Sequence, residues 1–241
     1  MKSFRKKLKI YENKKVLITG HTGFKGSWLS FWLHSLGAKV YGISDGIPTK
    51  PSFYKVCGVD KLSKNYFFDI SNKYKVKKTI LKIKPDFIFH LAAQSLVSKS
   101  YLNPNKTWET NLIGTKNVLE SLLNYKKNCS IVIITSDKCY KNIETHRPYN
   151  EKDVLGGDDP YSASKAGAEI LFNSYFQSFF KNKKNIKIAS ARAGNVIGGG
   201  DWAKDRLIPD CIKLWSKNKK VLIRSPKATR PWQHVLEALS G

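Results

Sequence analysis

A glycine-punctuated turn between a strand and a helix constrains this chain more than any other stretch. Gly20-His-Thr-Gly-Phe-Lys-Gly26 follows directly on the apolar run Lys15-Val-Leu-Ile-Thr19 and opens a helical pattern over residues 27–37. Glycines let a backbone turn sharply and approach a ligand closely, and the unpaired amides that start a helix face an anion. Strand, glycine turn and helix in that order bind the pyrophosphate of a dinucleotide. Gly20, Gly23 and Gly26 are spaced G-x-x-G-x-x-G, not the commoner G-x-G-x-x-G. A purely structural turn would carry the same glycines, so the decision rests on the rest of the chain.

Downstream, strand-like and helix-like patterns alternate. Trp28, Leu29, Phe31, Trp32, Leu33 and Leu36 give the first helix an apolar body to lay on a sheet, and Gly37 stops it. A second strand is expected over 39–43 and a short third one ending at Asp69. A basic helix should follow over 72–84, then a fourth strand over 86–91. Residues 104–127 read as helical, with Asn111 and Thr115 on one face, and a fifth strand is expected over 129–134. Such alternation argues for a parallel, doubly wound α/β sheet. Ligands bind such sheets outside the carboxyl ends of the strands. That singles out Leu91, Ala92 and Ala93, where small residues at a strand end admit a cofactor. Asp45 falls 19 residues beyond Gly26, about where an acidic residue binds an adenosine ribose. An aspartate beside a glycine is equally ordinary turn chemistry.

Three polar clusters follow the sheet. Thr135-Ser-Asp-Lys-Cys-Tyr140 lies at the end of the fifth strand. Tyr161-Ser-Ala-Ser-Lys165 follows Pro160 at a helix start, and its i, i+4 spacing puts tyrosine and lysine on one face. A lysine so placed stabilises tyrosinate and lowers the phenol's pKa toward that of a usable base. Alone, the pair would equally suit an amphipathic helix; beside a glycine-rich βα unit and a polar strand end, it reads as catalytic. The third cluster holds Ala191-Arg-Ala-Gly-Asn195, Gly198-Gly-Gly-Asp201, Arg206 and Thr229-Arg-Pro-Trp-Gln-His234. Arginines beside tight loops suit a phosphorylated substrate, because guanidinium meets phosphate in fork geometry. They are also ordinary surface charges.

Composition narrows the classes. A net charge of +25 could mark a nucleic-acid binder. The lysines, however, are spread among asparagine and isoleucine over 73–84, 181–187 and 213–220, as on a solvated basic surface, and no nucleic-acid partner is expected. Cys57, Cys129, Cys139 and Cys211 show no C-x-x-C spacing, so neither a metal site nor a disulfide framework is expected. No apolar run approaches the ~20 residues that cross a bilayer. The basic stretch Met1 to Lys9 leads into no apolar signal segment. A reducing cytoplasm fits these features.

In its long blocks the chain resembles the extended short-chain dehydrogenase/reductases, and among them the CDP-glucose 4,6-dehydratases. The blocks are Gly20 to Trp28, Thr135 to Tyr140, Asp159 to Lys165, Ser190 to Trp202 and Ala228 to Val235. The resemblance implies a Rossmann-type domain over 14–192 that holds NAD, after a basic extension over 1–13. A substrate-binding lobe over 193–241 would be incomplete, because family members continue for roughly a third of their length further. It implies that Gly20, Thr22, Gly23, Phe24, Lys25 and Gly26 form the cofactor loop and that Asp69 and Ile70 flank the adenine. Leu91, Ala92, Ala93, Thr135, Tyr161 and Lys165 would complete the cofactor site.

The implied chemistry is dehydration of CDP-glucose to a 4-keto-6-deoxy sugar. Tyr161 would take the proton of the 4-hydroxyl, with Ser136 bonded to the same oxygen. Asp137 would protonate the departing 6-hydroxyl, and Lys138 stands where related enzymes keep a glutamate base. A lysine works as a base only where burial or a cationic neighbour lowers its pKa from about 10.4. Gln94, Asn195, Arg206 and Arg230 would meet the substrate. The implied assembly is a homo-oligomer. An epimerase acting on another nucleotide sugar is the nearest alternative, and the Asp137-Lys138 pair argues against it. A non-catalytic nucleotide-binding remnant is the other.

Overall fold

The computed structural model of the chain describes residues 8–144, 147–223 and 225–241; most of the expected basic extension, residues 1–7, lies outside them. Six parallel strands form one sheet in the order β3-β2-β1-β4-β5-β6. They are β1 (Lys15–Thr19), β2 (Lys39–Ser44), β3 (Ser63–Phe67), β4 (Phe87–His90), β5 (Cys129–Ile134) and β6 (Ile186–Ala191). This is the doubly wound Rossmann order, in which the strand order reverses between β1 and β4. That switch point is where the sequence places Gly20 and Ala92.

The central strand explains the fold's solidity. Val16, Leu17 and Ile18 are all fully buried, as they must be in a strand covered on both faces. Leu17 joins Ile43, Ile88, Ile131 and Ile133 under Val76, Ile80, Val118 and Leu119. Val16, Ile18 and Val40 face the other way, onto Leu29 and Leu33. Period-two side-chain alternation thus splits one apolar run between two cores.

Helices cover both faces. α1 (Phe24–Ser35) starts three residues earlier than its apolar pattern, since the turn of Gly20–Gly23 already feeds the helix. α2 (Lys73–Ile83) is capped by the Asn72 side chain, which accepts from the Lys75 amide, and is stopped by Lys84 in the left-handed region. α3 (Pro104–Trp108) passes through a π-turn, Glu109–Ile113, into α4 (Gly114–Ser121). The helix expected up to 127 therefore ends at Ser121. The π-turn carries Asn111 inward, where its amide donates to Gln94 O and Ser164 Oγ. α5 (Pro160–Tyr175) is capped by Asp159, whose carboxylate accepts from the Ser162 amide.

The sequence reading stops at five strands. β6 is missed because Lys187 and Ser190 interrupt its apolar pattern and its outer edge is unpaired. Beyond it, β7 (Val196–Ile197) pairs with β8 (Gln233–His234), and α6 (Leu207–Trp215) lies between them in sequence. α7 (Val235–Ser240) packs on α1, with Leu239 against the cluster of Leu29 and Leu33. The last segment is thereby tied to the glycine-loop helix.

Candidate active site

At the switch point the glycine loop is shaped by its own packing. Gly20 has φ +73°, and a Cβ there would lie 2.8 Å from the Ala92 amide nitrogen. A Cβ on Gly26 would lie 2.1 Å from Gly20 O. Both positions therefore exclude side chains for internal reasons. The anion cradle comes from elsewhere. The first i→i−4 bond of α1 runs from the Ser27 amide to Gly23 O, so the amides of Phe24, Lys25 and Gly26 precede the helical ladder. Thr22 closes the loop onto β2, donating from Oγ1 to Gly46 O at 2.6 Å. Leu91 and Ala92 fasten it to β4 through bonds to Thr19. His21 is fully buried between Ser44 and Asn65, and burial pushes its pKa down, so it serves as a neutral strut. A pyrophosphate fits this arrangement of free amides and close backbones.

Asp69 lies just past β3, where it accepts from the Ser71 amide and pairs with Lys106. Ile70 is buried beneath Gly114. Ala93 is half-buried, next after Ala92 at the end of β4.

A second group of residues meets at the ends of β5 and β6. Tyr161 and Lys165 lie on one face of α5, as their spacing requires, and both are buried. Ser136 stands beside the Tyr161 phenol and draws its pKa down, and its hydroxyl donates to Asp137 Oδ1 at 2.9 Å. Lys138 follows on a 3-10 turn whose amide is held by Ser136 Oγ. Lys165 donates to Ile134 O at 3.3 Å. Burial, then the charge of Lys25, lowers the Lys165 pKa to about 8. The phenol moves oppositely to the sequence expectation. Burial raises Tyr161 above its ordinary value, and Ser136 only partly offsets this. Lys165 supplies no hydrogen bond to it, and the cation that draws the phenol's pKa down is Arg206.

The sequence reading missed the residue beneath this group. Glu169, one turn beyond Lys165 on the same face, is buried and accepts from Thr135 Oγ1, from Ser190 Oγ at 3.1 Å and from Arg192 at 2.9 Å. Burial alone would raise its pKa, but these bonds outweigh it and hold the carboxylate below its usual range. Arg192 in turn lies over the Tyr140 ring, 4.9 Å from its centre. One carboxylate thus ties α5, β5 and β6 together directly under Ser136 and Tyr161. The Y-x-x-x-K-x-x-x-E spacing carried that signal in the sequence.

The four expected substrate contacts are placed differently from one another. Arg206 pairs with Asp201 at 3.2 Å and reaches Ser95. It also shares the electrostatic surroundings of Tyr161 and Lys25. Asn195 sits at the start of β7, its carbonyl accepting from Gln233. Gln94 uses its carboxamide on Leu96 and Thr107, where it holds the turn after β4. Arg230 is exposed and donates to its neighbour's carbonyl, Thr229 O. No hydrogen bond or ion pair among the described residues joins it to the Tyr161 group.

A family model described as GDP-mannose 4,6 dehydratase matches residues 17–241. The chain belongs to this family. It is 47% identical over 235 residues to the CDP-glucose 4,6-dehydratase of Salmonella typhimurium, covering 96% of this chain and 66% of that one. It is 31% identical to the dTDP-D-glucose 4,6-dehydratase of Dictyostelium discoideum, covering 95% of this chain and 54% of the relative. The chain thus spans about half to two thirds of the length of these curated relatives.

Solved structures share the architecture at low identity. The UDP-glucose 4-epimerase of Thermotoga maritima, solved with UDP-glucose, superposes with a TM-score of 0.81 at 20% identity, over 93% of this chain and 71% of that one. The dTDP-glucose 4,6-dehydratase of Streptomyces venezuelae, solved with NAD, gives 0.80 at 21%, over 94% and 72%. Epimerase and dehydratase fit equally well, so the fold does not separate the two reactions; side chains must.

Proposed function

We propose that this chain holds NAD along the carboxyl edge of its sheet and dehydrates CDP-glucose to CDP-4-dehydro-6-deoxyglucose. The observation that carries the reading is the convergence of Ser136, Tyr161 and Lys165 with an acid, Asp137, bonded to the serine. The 47% identity to a CDP-glucose 4,6-dehydratase supports the choice of base and sugar. Gly20, Thr22, Gly23, Phe24, Lys25 and Gly26 would hold the pyrophosphate, and Asp69, Ile70, Leu91, Ala92, Ala93 and Thr135 would line the rest of the cofactor site. NAD would supply the acceptor and store for the C4 hydride.

The chain's own residues handle the protons. Tyr161 takes the 4-hydroxyl proton as C4 loses hydride, and Lys165 and Lys25 stabilise the resulting negative charge. The 4-ketone acidifies C5–H. A base at the place of Lys138 takes that proton, and Asp137 gives its own to the 6-hydroxyl, which leaves as water. Return of hydride to C6 and of a proton to C5 completes a net loss of one water. Asn195, Arg206 and Arg230 would carry the diphosphate, Arg230 after swinging from Thr229, and Gln94 would act by shaping its turn.

Unpaired Cys57, Cys129, Cys139 and Cys211 suit the reducing cytoplasm in which this reading places the protein. Among the described residues no helix is long and apolar enough to cross a membrane. A homo-oligomer is part of the proposal, supported by Trp108, Ile113, Ile170 and Phe179, which stand exposed on the helices of 104–121 and 160–180.

Mass spectrometry of CDP-, UDP- and dTDP-glucose incubated with the chain and NAD tests the reading. Loss of one water from the CDP sugar is expected, and a mass unchanged in all three while NAD is bound would refute it.

A further inference from the structure

Three consecutive glycines, Gly198–Gly200, have no part in the chemistry above, yet each meets an aromatic side chain. A Cβ on Gly198 would lie 3.3 Å from the Phe24 ring of the glycine loop and 2.8 Å from Val235 Cγ1. The Gly199 carbonyl accepts from Trp28 Nε1 at 2.9 Å. Gly200, with φ +87°, lies over Phe53, where a Cβ would stand 2.5 Å from the ring. Trp28 and Phe53 are stacked with 4.5 Å between ring centres, and Trp202 packs against the same cluster. Phe24 and Trp28 are one turn apart on α1. The helix that opens at the cofactor loop therefore also carries the seat for these glycines.

The segment that leaves this seat carries Arg206. From Asp201 to Arg206 it forms neither helix nor strand, and side chains fix it instead. Lys213 donates to Trp202 O at 2.9 Å, and Ser98 donates to Asp205 at 2.8 Å. Asp201, whose side chain is only 8% exposed, accepts from the Ala203 amide and from Arg206 Nη1. Arg206 Nη2 reaches Ser95 over a long 3.4 Å. So long a bond is readily exchanged for a phosphate oxygen while Asp201 keeps the guanidinium in place. A binding side chain is only as well placed as the packing behind it. For Arg206 that packing begins at Trp28.

We propose that Trp28, stacked on Phe53 and bonded to Gly199, positions Arg206 for the diphosphate of the nucleotide sugar. Trp28 is then a positioning residue that acts through the arginine. The inference rests on the nucleotide-sugar reading and adds the residue on which its diphosphate grip depends.

Calorimetric titrations with CDP and with NAD test it, on the chain and on Trp28→Ala, Trp28→Phe, Gly200→Ala, Arg206→Gln and Trp28→Ala/Arg206→Gln. Loss of a charge-assisted bond to phosphate in Arg206→Gln should weaken CDP about tenfold. Trp28→Ala should approach that loss, at about fivefold, and leave NAD within about twofold. Trp28→Phe keeps the stack and should recover most of the CDP affinity. Gly200→Ala lies outside α1 and should weaken CDP in the same way, because its Cβ pushes the segment off Phe53. The double variant should bind CDP no more weakly than Arg206→Gln alone, since Trp28 acts through that residue. Penalties that add in the double variant, equal weakening of CDP and NAD by Trp28→Ala, or CDP binding unaltered by both Trp28→Ala and Gly200→Ala would each overturn the role of Trp28. An unaltered chain that binds NAD but no CDP would overturn the nucleotide-sugar reading, and this inference with it.

Discussion

Gly26 and Glu169 are both buried under the functional edge of the sheet, yet they hold it by opposite means. At Gly26 a side chain is forbidden: backbone atoms of Gly20 already occupy the place of a Cβ. At Glu169 a charged side chain is required, because three donors from two strands converge on it. The cofactor end is thus built by shape and the tyrosine end by charge. Shape-built sites fail when something is added. Charge-built sites fail when something is removed.

The largest effect that would sharpen this contrast is expected from Glu169→Gln. It leaves the Arg192 guanidinium without its carboxylate in a mostly buried place, at a cost of about 3–5 kcal/mol. Urea unfolding should show that loss, and the double variant Glu169→Gln/Arg192→Met should recover much of it. A single variant as stable as the parent would mean that the tyrosine end is not held by charge. Next comes Gly26→Ala, for which overpacking against Gly20 should cost about 3 kcal/mol. Gly46→Ala is its control, since nothing lies within 4 Å of a Cβ there; a change within about 0.5 kcal/mol is expected.

Lys165→Met probes the same contrast through pH. Burial and Lys25 hold the folded lysine near 8, below its unfolded value of 10.5. Above 10.5 the lysine is neutral in both states and contributes nothing. As pH falls from 10.5 through about 8, the unfolded chain takes up the proton more readily and the native state loses stability, fully so below 8. Replacing Lys165 by methionine should therefore stabilise the chain at pH 7 by about 3 kcal/mol, with the gain vanishing near pH 10.5. Thermal melts at the two pH values read it directly. A methionine variant less stable than the parent at pH 7 would show that the lysine's bond to Ile134 O outweighs its burial.

The same division explains what the sequence disclosed. The glycine loop was legible because its parts are contiguous: strand, turn and helix follow one another from Lys15 to Ser35. Tyr161 and Lys165 were legible through helical spacing. Glu169 shares the helical spacing of Tyr161 and Lys165, but what it does shows only through Thr135 and Arg192, 34 and 23 residues away. Lys106 escaped for the same reason, with Asp69 37 residues distant. The direction of the Tyr161 shift needed the burial that only packing supplies. Gln94 looked free in the sequence, and only the fold shows its amide engaged by Leu96 and Thr107.

In the proposed reaction hydride leaves C4, is stored and returns to C6. CDP-glucose carrying deuterium at C4, incubated with the chain and NAD, tests this most directly when the product is read by NMR. Dehydration by this route puts the deuterium at C6 of a 4-keto-6-deoxy sugar. Deuterium found back at C4 of an inverted sugar would contradict it and make the chain an epimerase.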